Sequence, residues 1–565
     1  MSIPPILNRT AGNIWQSKKW LWVVGALTLL VLGFTAFNVF FFSPWLSEKL
    51  VRAVNTQSQG RYALQMGSLR ASLLSGSLTI DKLSLVPDTA LWERQRAGEK
   101  EAMPALLVSL EARQLHLDGI SYIGLLWKKT LQLDGIRLTQ PDLRITRMRE
   151  DAGTKEPLHR QLKARLAALQ VKKIQADNGS ITYKSSKQDK WNTLELRGLS
   201  LAVADVQIDS AAYQDRQRVF YAKAIAITAS RTNLLLPDGN YRLKTGRTAI
   251  STEAREVKIS KVALVPLYRP QALARRKGKA ITWLEIKVPA VAMRGLDFAG
   301  FAHRSNLVIN DVQVLNPAIY AYKDRKNFKT KGVKPLPHDL MQELKTRLTI
   351  REIAVQDMHV RYEELAPEAT KTGFITFEKL TASLRNITND KNLMSTKNPA
   401  VMELRTAIMG KAPLKALIQL NLLDPGGFHT ITGSVGETDA GILNTILAPT
   451  SFVSIKSGFL QKSSFQVRLS REKASGTMRA HYTDLEVELL SKDKEERQSW
   501  GKRLLSALAN KTAVESDNVP IKGEWRVGQI TVTRKKNRSV FNYWKDCLAS
   551  GLLSSAGLEN IARKK

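Results

Sequence analysis

Side-chain chemistry needs nucleophiles, bases or metal ligands at set spacings, and the candidates here are seven histidines, one cysteine and a few recurring aspartates. His116, His159, His303, His338, His359, His429 and His481 are scattered with no partner at i+4, and Cys547 stands alone. Local sequence therefore builds neither a helical zinc pair nor a cysteine-rich metal site. No HExxH, GxSxG, Walker-type glycine loop or GxGxxG occurs. His116 and His359 lie in strand-like runs, where an ordinary structural histidine is expected. Asp81, Asp134 and Asp311 recur near repeat turns, where carboxylates cap or accept backbone N–H bonds. Arg275-Arg276-Lys277 and Arg534-Lys535-Lys536 carry enough charge to touch anionic surfaces, although most such runs are solvated loops. The expectation is no catalytic residue, no metal and no cofactor, so the chemistry that remains is burial of apolar matter and attraction of anions.

What must position that chemistry is a repeat. Leu131 to Arg147, LQLDGIRLTQPDLRITR, returns as Leu307 to Lys323, LVINDVQVLNPAIYAYK, at an offset of 176. Leu131, Leu133, Ile136, Leu138, Pro141 and Leu143 fall on Leu307, Ile309, Val312, Val314, Pro317 and Ile319. Gly119 and Gly124 fall on Gly295 and Gly300, and SLTIDKLSLVP ending at Pro87 falls on EVKISKVALVP ending at Pro266 at offset 179. LKARL at Leu162 to Leu166 meets LKTRL at Leu344 to Leu348, and IQADNGSITY ending at Tyr183 meets IAVQDMHVRY ending at Tyr362. The recurring features are apolar alternation, glycine and proline, so a surface is repeated and not a reactive site. We read a tandem duplication of a module of about 180 residues.

Trp20 to Phe42 carries no charge over 23 positions. At roughly 1.5 Å per residue it can cross a hydrocarbon core of about 30 Å. The alternative, a cleaved signal peptide, lacks a small-x-small cleavage site after so long an apolar run. Trp20, Trp22 and Trp45 would sit at the interfaces, and Lys18 and Lys19 with Arg9 favour an N-terminus inside. PWLSEKLVRAVNTQS then continues as an amphipathic helix with Leu46, Leu50 and Val54 on one face.

Beyond it the period becomes two. Ser77–Leu85, Leu106–Leu117, Leu131–Leu138, Leu143–Thr146, Leu194–Val203, Lys223–Thr228, Ala416–Leu422, Ser464–Leu469 and Trp525–Val532 alternate apolar with polar residues, as half-buried antiparallel strands do. Asp134-Gly135, Pro237-Asp238-Gly239 and Asp424-Pro425-Gly426-Gly427 supply turns. Helical spacing is confined to Pro157–Leu169, Pro337–Leu348 and Glu496–Ala509. So few helices cannot cover so many one-sided strands: either two sheets cover each other, or one long sheet curls into a trough filled by something else.

The organisation read from these patterns is a cytoplasmic segment 1–19, a transmembrane anchor 20–42, a juxtamembrane helix 43–66, a first β module 67–240 and its duplicate 241–400. A third β zone 401–540 with a helix at 496–509 follows, then an amphipathic tail 541–565 that could close the sheet or dock an envelope protein. The chain has 86 Lys plus Arg against 51 Asp plus Glu, a net +35, which favours anionic partners. Nucleic acid is the weakest of them, since no aromatic-rich basic strand offers a stacking platform. A single cysteine excludes an internal disulfide and permits an oxidising compartment.

The anchor, GSLRASLLSGSLTIDKLSLVPD and LQLDGIRLTQPDLRITR together resemble the AsmA-like family of envelope proteins. The resemblance covers the anchor and about 67–207, then the duplicate at about 245–388. It implies an inner-membrane helix, a long periplasmic antiparallel sheet curled into an apolar groove, and a part in phospholipid passage towards the outer membrane or in envelope assembly. The expected fold is mainly β, with an N-terminal transmembrane helix, a duplicated groove-forming sheet and a few short helices. The groove lining is expected at Leu131, Leu133, Ile136, Leu138, Leu143, Ile145, Leu307, Ile309, Val312, Val314 and Ile319, with membrane phospholipid as the partner. The rival expectation is a membrane-tethered scaffold of closed β-sandwiches that recruits envelope proteins.

Overall fold

The computed structural model describes residues 28–29, 32–33, 35–89, 106–148, 156–163, 166–187, 190–490, 514–518 and 526–557. The described residues are mainly β, and their 25 strands belong to one hydrogen-bonded sheet. Two compact units divide the chain, one from residues 1–185, 198–215 and 221–223, the other from 186–197, 216–220 and 224–565.

In the first unit, helix α1 (Ser43–Gln57) leads into β1 (Tyr62–Gln65), β2 (Ser68–Ser72), β3 (Ser77–Pro87) and β4 (Leu106–Asp118). Helix α2 (Tyr122–Lys128), β5 (Thr130–Thr139), β6 (Asp142–Arg147), the single turn α3 (Leu158–Leu162) and β7 (Ala168–Lys187) follow. β8 (Lys190–Ile208), the turn α4 (Ser210–Gln214), β9 (Ala222–Ala229), β10 (Arg231–Leu235), β11 (Tyr241–Thr245) and β12 (Thr248–Ser251) come next. The pattern then restarts with β13 (Glu256–Pro266), α5 (Pro270–Lys277), β14 (Thr282–Arg294), α6 (Phe298–Arg304), β15 (Asn306–Leu315), β16 (Ala318–Asp324), α7 (Pro337–Gln342), β17 (Arg347–Leu365) and β18 (Gly373–Thr388). The chain ends on β19 (Ala400–Ile408), β20 (Ala412–Leu420), β21 (His429–Val435), β22 (Thr438–Asp439), α8 (Asn444–Ser451), β23 (Val453–Leu469), β24 (Lys473–Leu489), β25 (Val527–Thr533) and α9 (Val540–Ser555).

The sequence repeat is a repeat of backbone. β4 runs antiparallel to both β5 and β6, which together form one strand broken at Gln140-Pro141, and both pair parallel with β7. β14, β15, β16 and β17 are paired in the same way. At the two breaks, Gln140 and Asn316 are left-handed, Ser180 donates to Pro141 O at 2.7 Å, and His359 donates to Pro317 O at 2.8 Å. Positive φ recurs at Gly76 and Arg255, Lys82 and Lys261, Gly119 and Gly295, and Asn178 and Asp357. Tyr62 and Tyr241 occupy matching strands, and their hydroxyls accept from the Val108 and Leu284 amides at 3.3 and 3.2 Å. Only Gly119 and Gly295 of the matched glycines need glycine for space as well as for φ: a Cβ there would run into the Asp134 or Asn310 side chain. The matched Gly124 and Gly300 instead donate to the capping oxygens of Ser121 and Asp297, at 3.3 and 2.8 Å.

Several expectations need correction. The sheet is not wholly antiparallel: β5 and β6 pair parallel with β7, and β15 and β16 with β17, the sequence between β6 and β7 and between β16 and β17 being long enough to return the chain in parallel. The leucines read there as helical are partly strand: Leu169 pairs with Leu131 and Leu348 with Leu307, so strand pairing overrides helical spacing and leaves single-turn helices. That register aligns the crossover segments at offset 179 and not at the 182 implied by matching LKARL with LKTRL. Asp134-Gly135 is no turn, since β5 continues through it and Lys172 pairs with Asp134 at 2.7 Å. The juxtamembrane helix stops at Gln57, and Tyr62–Gln65 is strand. The 496–509 helix lies outside the described residues, as do Lys18, Lys19, Trp20 and Trp22 and much of the 20–42 span. Among the described residues no helix is long and apolar enough to cross a membrane.

Candidate functional site: an apolar face crossing the sheet

Directly paired residues on neighbouring strands point to the same side of a sheet, so register shows what each face carries. In the first unit one cross-strand row reads Leu69, Ile80, Leu115, Leu138, Ala176, and another reads Ala71, Leu78, Leu117, Ile136, Ile174. A third reads Leu64, Leu85, Leu110, Leu143, Ile181, and Val108, Ile145 and Tyr183 form a fourth. The intervening rows are polar: Thr79, His116, Arg137, Gln175 and Ser84, Glu111, Asp142, Ser180. These link laterally, with Thr79 Oγ1 2.8 Å from His116 Nδ1, Arg137 donating to Gln175 at 3.0 Å and Ser180 donating to Asp142 at 2.6 Å. Asp81 accepts from Ser68 and Gln114, both at 2.8 Å, and these bonds with Arg70 hold its carboxyl below the usual range. It is therefore a mid-strand polar-face residue and not a cap.

The left-handed residues keep the apolar set on one side. Ile80 and Leu83 are three apart, which in a regular strand would put them on opposite faces. Lys82, with φ 51°, turns the strand over between them while the register with β4 is kept, and Ile80, Leu83 and Ala112 share one apolar cluster. Ile309 and Val312 are also three apart and share a cluster with Leu307, Val314, Ile350 and Ile353, with no left-handed residue between them.

In the second unit a single row can be followed through thirteen strands: Ile227, Ile250, Val257, Met293, Val312, Ile353, Leu384, Met402, Ile418, Ile431, Val467, Gly476, Ile530. Twelve strand-to-strand steps of about 4.8 Å make it roughly 58 Å long. A parallel row holds Leu243, Leu264, Ile286, Ile319, Val360, Phe377 and Ile408.

Coverage changes along the long row. Ile250, Met293, Ile353, Leu384 and Met402 are half-buried. Ile418, Val467 and Ile530 are 2%, 1% and 1% exposed. At this buried end lies α9, whose Tyr543 and Cys547, with Ala556 just beyond its last turn, join the cluster of Ile418, Ile431, Phe465 and Met478. The helix comes close because both surfaces are small: a Cβ at Gly551 would stand 2.9 Å from Ile530 Cγ1 and from Met478 Cβ. Ser554 and Ser550 hydroxyls accept from the Gln529 and Thr531 amides of β25 at 2.7 and 3.2 Å. Burial pushes the Cys547 thiol up to about 12, so this cysteine behaves as a small core residue.

Crossover α7 docks nearby. Asp339 caps the Leu336 amide at 2.7 Å and pairs with Arg471 at 2.5 Å, and His338 is fully buried with its ring 5.5 Å from that of His429. His429 Nδ1 lies 2.9 Å from Gly427 O, and its Nε2 accepts from Trp544 Nε1–H at 3.1 Å. Burial lowers its pKa to about 4, consistent with a neutral ring whose accepting nitrogen faces an indole N–H. Helix α8 packs against β17, β18 and β23, and Gly373 leaves room for it, since a Cβ there would stand 2.8 Å from Thr450 Cγ2.

Of the eleven residues expected to line a groove, Leu133, Ile309 and Val312 are buried, at 6%, 6% and 8% exposure, and the other eight are half-buried. Trp45 is 53% exposed, with Phe42 stacked on one side and the Lys49 ammonium 5.9 Å from its ring. The basic runs are partly structural: Arg276 lies over Tyr268, Lys277 pairs with Asp238, and Arg534 donates to Lys334 O at 2.6 Å. Sequence reasoning missed the continuation of the row into Leu384, Met402, Ile418 and Ile431, although AVMELRTAI at Ala400–Ile408 carries the same alternation. No protein-family model matches the chain, and no curated protein matches it.

Proposed function

We propose that the chain is a membrane-anchored periplasmic protein that binds phospholipid along this apolar face and moves it between membranes or into outer-membrane assembly, in the manner the AsmA-like resemblance implies. The observation that carries the reading is the apolar row through thirteen strands, half-buried from Ile250 to Met402 except at Val257 and Val312 and without an interrupting polar residue. Such a face gains about 0.8 kcal/mol per methylene that it removes from water, which an acyl chain supplies in quantity. Helix α8, shared by β17, β18 and β23, supports a sheet curled towards that face in the second unit. The duplicated module serves by extending the lining with the same backbone. The net charge of +35 suits anionic headgroups, and the uncharged span Trp20 to Phe42 supplies the anchor, with the β region outside the cytoplasm. Against a scaffold of closed sandwiches stands the make-up of three apolar clusters among the described residues, which consist of ladder neighbours with the helices and loops beside them.

The test is lipid content. Full-length protein extracted in mild detergent is expected to carry phospholipid by mass spectrometry, and Ile319→Asp or Leu143→Asp is expected to deplete it while the melting transition survives. A lipid-free wild type overturns the reading.

A further inference from the structure

Resting on that reading, we propose that Lys323 and Arg538 hold a phosphate group, that of a phospholipid headgroup, where the apolar file of β16 ends. Ile319, Ala321 and Lys323 alternate along one side of β16, and their partners Val360, Tyr362 and Glu364 do the same on β17, so Lys323 and Glu364 lie on the apolar face. Lys323 is 7% exposed and Glu364 9%. Glu364 is already satisfied, since Arg325 donates to its Oε1 and Tyr362 to its Oε2, each at 2.6 Å. That leaves the Lys323 ammonium with no hydrogen bond or ion pair among the described residues, and the Arg538 guanidinium is in the same position.

Both cations belong to one neighbourhood. Lys334 donates to Lys536 O at 2.8 Å and Arg534 to Lys334 O at 2.6 Å, which ties the basic 534–538 segment to the crossover that follows β16. Burial first, then the charges of Arg325, Arg538 and Lys334, outweigh the attraction of Glu364 and bring the Lys323 pKa down to about 8. A buried ammonium without a partner is costly, and an anion between two such cations removes the cost. Phosphate suits both, with two guanidinium N–H groups for a bidentate grip and a lysine as point charge. Acyl chains leaving that phosphate would meet Ala321 and Ile319 next.

The experiment compares full-length protein with Lys323→Gln, Arg538→Gln and the double variant, offered vesicles containing dioleoylphosphatidylglycerol or dioleoylglycerol, which share acyl chains and differ in the phosphate. The double variant is expected to capture phosphatidylglycerol about tenfold less well and dioleoylglycerol within twofold of wild type, with Lys323→Arg close to wild type. Equal phosphatidylglycerol capture by wild type and a folded double variant overturns the proposal, as does an equal loss of both lipids. Melting with and without inorganic phosphate separates the sources. A phosphate-dependent rise in wild type that the double variant lacks, with phosphatidylglycerol capture unchanged, assigns the site to free phosphate and overturns the headgroup. If wild type takes up neither lipid, the lipid reading fails by itself, and the phosphate arm alone then supports or overturns the anion site.

Discussion

The same apolar row has two lives in the second unit. From Ile250 to Met402 it is half-buried except at Val257 and Val312, and from Ile418 to Ile530 it is sealed in the cluster that α9 joins. Strand chemistry does not distinguish the two stretches, because Ile353 and Ile418 are the same residue type on equally alternating strands. The difference lies in what is laid on top, and there it is made by small residues, Gly528, Ser550, Gly551 and Ser554, that let a helix approach. One stretch is thereby a folding core, and the other keeps half-buried apolar surface between its buried members Val257 and Val312.

The largest effect should separate the two stretches directly. Ile418→Asp puts an unpaired carboxylate into the closed cluster and should cost at least about 4 kcal/mol, enough to abolish cooperative melting of that part. Ile319→Asp, half-buried on the uncovered side, should cost on the order of 1 kcal/mol in a denaturant titration. Comparable losses at the two positions would erase the distinction.

The covered end should also be acid-sensitive. His429 is held neutral in the fold, with its pKa lowered to about 4 from an ordinary 6.5, so the unfolded chain takes up a proton that the folded chain refuses. Stability is then complete above about pH 6.5 and falls as the pH drops towards 4, by on the order of 3 kcal/mol. Melting followed by Trp544 fluorescence should show that slope, and His429→Gln should flatten it, whereas lipid capture by the uncovered stretch should not follow the same titration.

Gly551→Val should lift α9 off Ile530 and Met478 at a cost of about 2 kcal/mol, read as faster hydrogen exchange in β25 before any change in β13 or β14. A similarly small effect concerns the duplicated modules: Gly119→Ala and Gly295→Ala each force a left-handed residue with a Cβ against the Asp134 or Asn310 side chain, and should cost about 1 kcal/mol apiece. Two very different shifts in melting temperature would show that the matched backbones are not equally constrained.

Much of this was legible in the chain. Leu131 to Arg147 and its return at Leu307 to Lys323 mark strands whose pairing does recur, and Pro141 and Pro317 do sit at the same break. The misreadings had one cause, that local pattern is silent about partners. Leu162, Leu166 and Leu169 look helical until Leu169 is claimed by Leu131, and Asp134-Gly135 looks like a turn until Lys172 lies beside it. Nothing local to Lys323 says that its neighbour across the ladder is a glutamate already taken by Arg325 and Tyr362.

The sequence by itself determined the β character, the two-residue alternation that makes one face apolar, and the recurrence of glycines and prolines that require particular backbone angles, because each of these is a property of a residue and its near neighbours. Tertiary structure alone decided which strands run parallel, which apolar residues are sealed in the cluster that α9 joins and which stay half-buried, and that the Lys323 and Arg538 side chains are left without a hydrogen bond or ion pair among the described residues. Those outcomes depend on groups brought together from up to two hundred positions apart, as when Arg534 donates to Lys334 O, and no local preference encodes a distance of that kind.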